Sequence, residues 1–347
     1  MKNRLPVVVG LVATAVLALA ADALRIQVIP NDAARRVDVI IDGKPFTSYI
    51  YPTSQKKPVL FPLRTAKGTF VTRGWPLEPR GGERVDHPHH VGMWLNYGDV
   101  NGLDFWGHSE ATPADQGAKM GTIVHRKVAA AKSGADRGDL AVEADWLAHD
   151  GHVVLRERTH FTFRGTPESR SVERITTLTA TDRRVVFRDT KEGMFGLRVA
   201  RGLEQPADKP EVFTDAAGRP EKVPALDNAG VTGQYVSSEG LKGDAVWGTR
   251  ARWVLLSGTV ESEPVTVVML DHPDNPGFPT YWHARGYGLF SANPLGQKDF
   301  TQGKQELNLA VEPGKSITFR YRVLILGAST PETIEREYRA FASSPSS

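Results

Sequence analysis

Histidine, carboxylate and aromatic residues concentrate in one stretch of the first third of the chain. Three of the ten histidines, His87, His89 and His90, fall within four residues and follow an aspartate. On a strand, His87 and His89 would share one face, a spacing that suits a metal, and His90 would point away. Trp94 and Asn96 follow at short distance. The stretch is compatible with histidines that hydrogen-bond a tight proline turn, with a sugar-binding or catalytic site, or with a metal site.

A second stretch with reactive side chains runs from residue 189 to residue 198. It contains Lys191, Glu192 and Gly193 but lacks the glycine spacing of a phosphate-binding loop. Two interpretations of Glu192 remain open. It is either a solvated partner of Lys191, or an acid or base whose pKa is raised by nearby buried aromatic residues.

A third stretch combines aromatic and polar residues between positions 271 and 294. A strand over 281–287 would place alternate residues from Tyr281 to Tyr287, including His283 and Arg285, on one face. Such a face suits a carbohydrate groove, in which rings stack on the sugar and polar groups bind its hydroxyls; the alternative is a structural aromatic ladder. Further candidates in this stretch are His272 as a metal ligand, and Asn275, Trp282 and Asn293 as substrate-binding residues.

The composition excludes several function classes. The 347 residues include 43 Lys and Arg against 40 Asp and Glu, a formal net charge of +3. This balance argues against a nucleic-acid-binding protein. Because the chain has no cysteine, disulfides, thiolate catalysis and cysteine-bound metals are excluded. Any metal site would have to use histidine and oxygen ligands.

The N-terminus has the pattern of a secretory signal. Lys2 and Arg4 precede an apolar run over residues 5–21, with small residues at Ala18 and Ala20. We expect cleavage near Ala20, so that residues 1–20 form a signal peptide. The mature protein would then be periplasmic or secreted, with no stable membrane anchor.

The elements that must position these stretches are mainly strands. Apolar residues alternate with polar ones over 37–41, before the Asp42-Gly43 turn, and on both sides of the Asp150-Gly151 turn, which predicts antiparallel hairpins. Residues 307–311 and 317–325 flank a Glu-Pro-Gly turn and predict another hairpin. Many short strands with little helix favour an all-β fold, a large antiparallel β-sandwich.

Few segments depart from the strand pattern. Thr330 precedes Pro331 and an apolar spacing typical of an amphipathic helix, so we expect a short C-terminal helix at about 330–342. The polar stretches 110–118 and 205–224 are expected to be long loops. Because no segment looks like a linker, we expect residues 21–347 to form one β-sandwich domain with this helix at its end.

At these three stretches the sequence resembles a bacterial exported family of unknown function that carries the label PmoA-like, or methane oxygenase. The matching segments are DHPHHVGMWLNYGDVNGLDFWG, DTKEGMFGLRVA and DHPDNPGFPTYWHARGYGLFSANPLG. The subunit behind the label spans the membrane several times, and this chain lacks such spans beyond its first twenty-one residues. The resemblance implies an exported all-β protein with a fold similar to the galactose-mutarotase-like supersandwich, which hosts sugar epimerases, hydrolases and lyases.

We therefore expect an exported carbohydrate-active enzyme that acts on a sugar or oxidised sugar derivative by general acid–base chemistry. His90 and His283 would transfer protons with Glu192 in support, and Arg285 would hold a carbonyl or carboxylate. The reaction would be hydrolysis, elimination or epimerisation, with no cofactor. Alternatives are a non-catalytic glycan-binding protein, or a metal-dependent enzyme. The substrate-binding set is His87, His89, Trp94, Asn96, Asn275, Tyr281, Trp282, Arg285, Tyr287 and Asn293, and any metal would use His87, His89 and His272.

Overall fold

A computed structural model describes residues 25–344 of the chain as two large antiparallel sheets. The signal sequence predicted for residues 1–20 lies outside the described residues. The first sheet has eight strands in the order β1-β2-β3-β4-β5-β11-β18-β17. These strands are β1 (Ile26–Asn31), β2 (Arg36–Ile41), β3 (Lys44–Ile50), β4 (Val59–Leu60), β5 (Met93–Tyr97), β11 (Gly193–Arg198), β17 (Tyr281–Arg285) and β18 (Leu289–Asn293).

The second sheet also has eight antiparallel strands, in the order β14-β15-β16-β20-β9-β8-β7-β6. They are β6 (Thr122–Lys132), β7 (Gly138–Leu147), β8 (Val153–Gly165), β9 (Arg170–Ala180), β14 (Gln234–Ser237), β15 (Trp253–Val260), β16 (Glu263–Asp271) and β20 (Ser316–Leu326). Two small sheets pair β10 (Val185–Phe187) with β19 (Leu309–Val311), and β12 (Glu211–Thr214) with β13 (Pro220–Val223).

Helical elements in the described chain are short. The α-helices are α1 (Gln297–Phe300) and α2 (Pro331–Ala342), and the 3₁₀ turns are Asp32–Ala34, Ala114–Lys119, Arg201–Leu203 and Gly243–Val246. Helix α2 starts as the sequence predicts, because the Thr330 hydroxyl accepts a hydrogen bond from the Thr333 amide. Its apolar side packs on the outer face of the second sheet. The expected β-sandwich with a short C-terminal helix is confirmed.

The main core lies between the two large sheets. Burial alternates residue by residue along β7, so every second side chain enters this core. The turns at Asp42-Gly43 and Asp150-Gly151 connect hairpins as predicted. Asp42 and Gly43 have φ values of 52° and 73°, a backbone conformation that tight hairpin turns require.

Two local predictions are wrong. The segments around the Glu-Pro-Gly turn do not pair with each other, because β19 pairs with β10 whereas β20 crosses to the second sheet, between β16 and β9. Alternation indicates strands on both sides of a turn, but it does not determine their partners. The stretch 205–224 is not a simple loop either, since it contains the hairpin β12–β13. The other stretch expected to be a long loop, 110–118, contains no strand and includes most of a 3₁₀ turn.

Candidate active site

The three reactive stretches meet on the outer face of the first sheet. In the strand register, Gly196 on β11 lies opposite Trp94 on β5 and opposite Ser291 on β18, and Ser291 lies opposite His283 on β17. One row across four strands therefore joins residues that are up to 189 positions apart in the chain. The neighbouring residues of each strand, such as Leu95, point into the main core.

The Asp86–His90 segment is a turn and not a strand, so the predicted alternation of its histidines is wrong. The His90 amide donates to the His87 carbonyl at 2.9 Å, and His87 has a φ of 42°. A left-handed backbone is uncommon for histidine and stores strain that the surrounding structure must offset. The buried Arg73 guanidinium supplies that support, because it donates to the carbonyl oxygens of His87 and His90, both at 3.1 Å.

The turn brings its imidazoles into one stack with two other aromatic rings. The His87 ring lies parallel to the Tyr287 ring at a centroid distance of 5.1 Å, and to the His90 ring at 4.8 Å. The His90 ring in turn stacks on Trp94 at 5.3 Å, and Trp106 meets His90 edge-on at 5.4 Å. His87 thus lies between the rings of Tyr287 and His90 with its side chain 40% exposed, and His90 is buried beneath it.

Asp86 connects this turn to the sheet through two buried cations. One carboxylate oxygen accepts hydrogen bonds from Arg73 at 2.5 Å and from Arg198 at 2.6 Å. Burial opposes ionisation of Asp86, but the His87 hydrogen bond and the charges of Arg198 and Arg73 outweigh it. The pKa of Asp86 is therefore held well below its usual range. The side chain is a permanent anion that fixes the position of the histidine turn.

Hydrogen bonding and burial fix the proton positions of two site histidines. His283 Nδ1 lies 2.9 Å from the Lys191 carbonyl oxygen, which can only accept, so Nδ1 carries the proton and Nε2 is the basic nitrogen. In His90 the protonated and basic nitrogens are exchanged. The Arg198 guanidinium donates to Nδ1 at 3.5 Å, so the ring proton is on Nε2. Burial lowers the pKa of His283 to about 4, and that of His90 well below 6.5, so both rings are neutral at pH 7.

Six buried polar atoms in and around the stack have no hydrogen-bond partner within the described residues. They are His90 Nε2, Trp94 Nε1, Trp106 Nε1, Asn96 Oδ1, Arg73 Nε and Arg198 Nε. Each such atom destabilises a fold by about 1–3 kcal/mol. Stable cores rarely contain several of them in one place. Their concentration here is typical of a functional site, where polar groups are kept unpaired at a cost in stability.

Two further carboxylates belong to this region, Glu192 beside His283 and Asp104 within electrostatic range of Glu192 and Lys57. Glu192 Oε2 is 4.0 Å from His283 Nδ1, and the Glu192 side chain is partly exposed and paired with Lys191 at 3.0 Å. Asp104 accepts hydrogen bonds from the amides of Trp106 at 2.7 Å and Gly107 at 2.8 Å. Burial is the main reason that the pKa of Asp104 is raised. Glu192 is therefore the carboxylate that combines solvent access with a histidine neighbour.

Lys57 is a site residue that the sequence analysis missed. Its side chain is only 3% exposed, its Nζ donates to the His89 carbonyl at 2.7 Å, and it lies 5.4 Å from the centre of the Trp94 ring. Burial lowers its pKa to about 7. Burial likewise lowers the pKa of His89 to about 2. Lys57 stands in a polar Gln-Lys-Lys-Pro loop, and nothing in that sequence distinguishes it from a solvated lysine.

The third stretch forms the opposite side of the site. Tyr281, His283 and Arg285 occupy alternate positions of β17, as predicted, and the Tyr281 ring stacks on Phe300 at 5.2 Å. Tyr287 is not on the strand, since β17 ends at Arg285 and a turn follows. The Tyr287 ring still reaches the site, because it stacks on His87.

Four predicted residues have other structural roles. Trp282 lies in the main core, where its indole donates to the Ala251 carbonyl. Asn275 bonds to Asp271 and to the backbone of Arg320, in the second sheet. His272 packs beside it against Phe341 of helix α2. The amide group of Asn293 holds the backbone of Thr190 and Leu295, so these four residues support the fold around the site or lie away from it.

The metal alternative gains no support from ligand geometry. His87 and His89 belong to the turn, whereas His272 lies on the second sheet beside helix α2. Across residues 25–344, no three His, Asp or Glu side chains are grouped so that they could hold a metal ion. The three histidines named for such a site therefore do not form one.

Fold and site together define a large antiparallel β-sandwich with a buried histidine and carboxylate cluster on the outer face of one sheet. The chain belongs to a family of unknown function (DUF6807), whose model matches residues 36–339. That description does not support the PmoA-like label. No helix within residues 25–344 has the length and apolarity needed to cross a membrane.

Several solved structures are similar to this chain at low identity, whereas no curated protein sequence matches it. The Slr1438 protein from Synechocystis sp. PCC 6803 is 10% identical, with a TM-score of 0.35 over 91% of this chain and 100% of its own. Galactose 1-epimerase from Lactobacillus acidophilus NCFM is 10% identical, with a TM-score of 0.36 over 88% and 100%. A galactose mutarotase-like protein from Clostridium acetobutylicum is 11% identical, with a TM-score of 0.30 over 85% and 94%. At these values the likenesses carry no conclusion about activity.

Proposed function

We propose that this protein is a carbohydrate-active enzyme that moves a proton to or from a sugar or an oxidised sugar derivative. The observation that carries the proposal is the state of His283, a neutral imidazole with Nε2 as its basic nitrogen and Glu192 beside it. A general base needs an unprotonated nitrogen at the working pH, and a neighbouring carboxylate stabilises the imidazolium that forms. Hydrolysis, elimination and epimerisation all use such a step.

The surroundings of His283 favour a sugar as the substrate. The partly exposed ring of Tyr287, at the outer end of the stack, is of the kind that packs on the C–H face of a sugar ring. Arg285 is partly exposed beside it and suits a carbonyl or carboxylate oxygen. We assign proton transfer to His283 with support from Glu192. Because His90 lies beneath His87, its role is to hold the His87 ring in position.

The proposal is tested by incubating the purified protein with neutral, oxidised and acidic glycosides and following each sugar by proton NMR. We expect one class to be converted, and conversion to fall by roughly 10²-fold or more in His283→Asn. His149→Asn is the matched control, since His149 is an exposed histidine in another loop. Binding without turnover would contradict the enzyme proposal and favour a non-catalytic glycan-binding protein.

The same proposal includes export to the periplasm or the medium. It is supported by the charged start and apolar run of residues 1–21 in the sequence. N-terminal sequencing of the protein from its native host is the test, with a start at Ala21 or within about three residues of it expected. A mature protein that retains Met1 would contradict export by this signal.

A further inference from the structure

A pocket adjoins the proposed active site and shares Arg285 and Tyr287 with it. Arg285 and Tyr287 line this pocket on one side, and Trp247, Gln205 and Asp244 line it on the other. Its volume of about 510 Å³ falls in the range of roughly 300–1,000 Å³ that is usual for small-molecule sites. A molecule bound at His283 could therefore extend into this pocket past Arg285.

The most prominent group in the pocket is the indole of Trp247. The residue is 39% exposed, and such exposure of a large apolar side chain is unusual in this structure. The Arg285 guanidinium lies 5.4 Å from its ring centre, and the Phe300 ring packs nearly perpendicular to it at a centroid distance of 5.8 Å. Phe300 also contacts the ring of His283, at 6.5 Å. The exposed indole is thus connected to the active-site face through one aromatic residue.

The backbone holds Trp247 in this position. The indole follows the 3₁₀ turn Gly243–Val246, and the Trp247 amide donates to the Asp244 carbonyl at 3.1 Å. The next amide, of Gly248, donates to the Trp282 carbonyl on β17 at 2.9 Å. Gln205 holds the other wall in place. Its side chain donates to Asp244 Oδ1 at 2.8 Å, and its backbone amide donates to the Gly286 carbonyl. The pocket is therefore pre-formed, which lowers the entropy lost on binding.

The charges of the pocket favour an uncharged ligand. Its lining contains three basic and three acidic side chains, namely Arg84, Lys209, Arg285, Asp208, Glu211 and Asp244. Arg84 is neutralised by Glu204 at 3.2 Å and by Glu211 at 3.1 Å. A site for a phosphate or a nucleotide would present an excess of positive charge. An exposed indole beside amide and carboxylate oxygens suits the apolar face and hydroxyl groups of a neutral sugar.

We propose that the Trp247 pocket is a second sugar subsite, so that the substrate is a disaccharide or longer glycoside with one unit at His283 and its neighbour on Trp247. This inference rests on the proposed function and specifies its substrate class. Arg285 and Tyr287 would lie at the junction between the two units, because both sites include them.

The test compares matched ligand pairs by isothermal titration calorimetry: methyl β-glucoside with cellobiose, methyl α-glucoside with maltose, and methyl β-galactoside with lactose. We expect the disaccharide of at least one pair to bind the wild-type protein about five- to tenfold more tightly than its monosaccharide, the scale of one aromatic contact. Trp247→Ala should remove this difference and leave monosaccharide affinity unchanged. Trp247→Phe should retain most of it, because the ring remains.

Leu241→Ala is the matched control, since Leu241 is an exposed apolar residue outside the pocket. A Trp247→Ala protein that keeps the disaccharide preference, or loses affinity equally for both ligands of a pair, would overturn the subsite and leave the proposed function standing. A wild-type protein that binds neither ligand of any pair but converts a single-unit sugar would also overturn it. Absence of both binding and turnover with every sugar would contradict the proposed function itself.

Discussion

His283 donates a hydrogen bond from Nδ1 to the carbonyl oxygen of Lys191, 2.9 Å away. Since an amide carbonyl cannot donate, this contact alone determines that Nε2 is the basic nitrogen of the ring. Lys191 precedes the buried strand β11, and His283 lies in the middle of β17. The position of the proton on this histidine therefore depends on the pairing of strands across the first sheet. It cannot be predicted from the residues next to His283 in the sequence.

The first prediction concerns the carboxylate beside that histidine. Glu192→Gln removes the negative charge 4.0 Å from His283 Nδ1 while keeping the size of the side chain. We expect turnover to fall by about tenfold or more, with substrate affinity changed much less, because the imidazolium formed during proton transfer loses its partner. Steady-state kinetics would show this as a change in kcat. An equal loss in Glu168→Gln, an exposed carboxylate elsewhere, would contradict the assignment.

The second prediction concerns stability at mildly acidic pH. The pKa of His283 is about 4 in the folded protein and about 6.5 in an unfolded chain. Between these values the unfolded state binds more protons, so the free energy of unfolding decreases as pH falls from 6.5 towards 4. His283→Asn should reduce this pH dependence, by up to about 3 kcal/mol, in urea titrations at pH 7 and pH 4.5. An identical pH dependence in the variant would contradict the buried neutral state.

The third prediction concerns the ion pair that holds the histidine turn. Asp86→Asn leaves Arg73 and Arg198 buried without their shared anion, and we expect it to lower the free energy of unfolding by about 3 kcal/mol or more. Asp42→Asn is the matched control, because Asp42 pairs with Arg25 on the surface. The control should change little. Equal effects of the two changes in urea titrations would contradict a structural role for Asp86.

The fourth prediction concerns Lys57. Because burial lowers its pKa to about 7, the charged amine destabilises the folded protein at neutral pH. Lys57→Met should therefore raise the melting temperature at pH 7. A lower melting temperature would show that the hydrogen bond to the His89 carbonyl contributes more to stability than desolvation of the amine removes.

The sequence predicts much of this fold because alternation and turn chemistry are local properties. The Asp42-Gly43 and Asp150-Gly151 hairpins and helix α2 follow from neighbouring residues alone. The partner of β19 does not, because the choice between β10 and β20 is made by tertiary packing. The same limit applies to the candidate site.

Residue types indicate the histidine-rich and Tyr-Trp-His stretches as candidates, but the strand register brings them together and geometry decides which members take part. Trp282 has the composition of a sugar-stacking residue, yet strand alternation places it in the core. Conversely, Lys57 enters the site only because its loop folds beneath Trp94. Proton positions in His90 and His283 depend on hydrogen bonds across more than ninety residues of sequence.

The most direct test of the account is the rate at which His283→Asn and wild type convert the sugar that the wild-type protein turns over, measured by proton NMR at pH 7. Asparagine keeps a hydrogen-bond donor for the Lys191 carbonyl but has no basic nitrogen. We predict that turnover falls by roughly 10²-fold or more while the melting temperature and the affinity for the sugar stay close to wild type. Wild-type turnover in a folded His283→Asn protein would contradict the central claim.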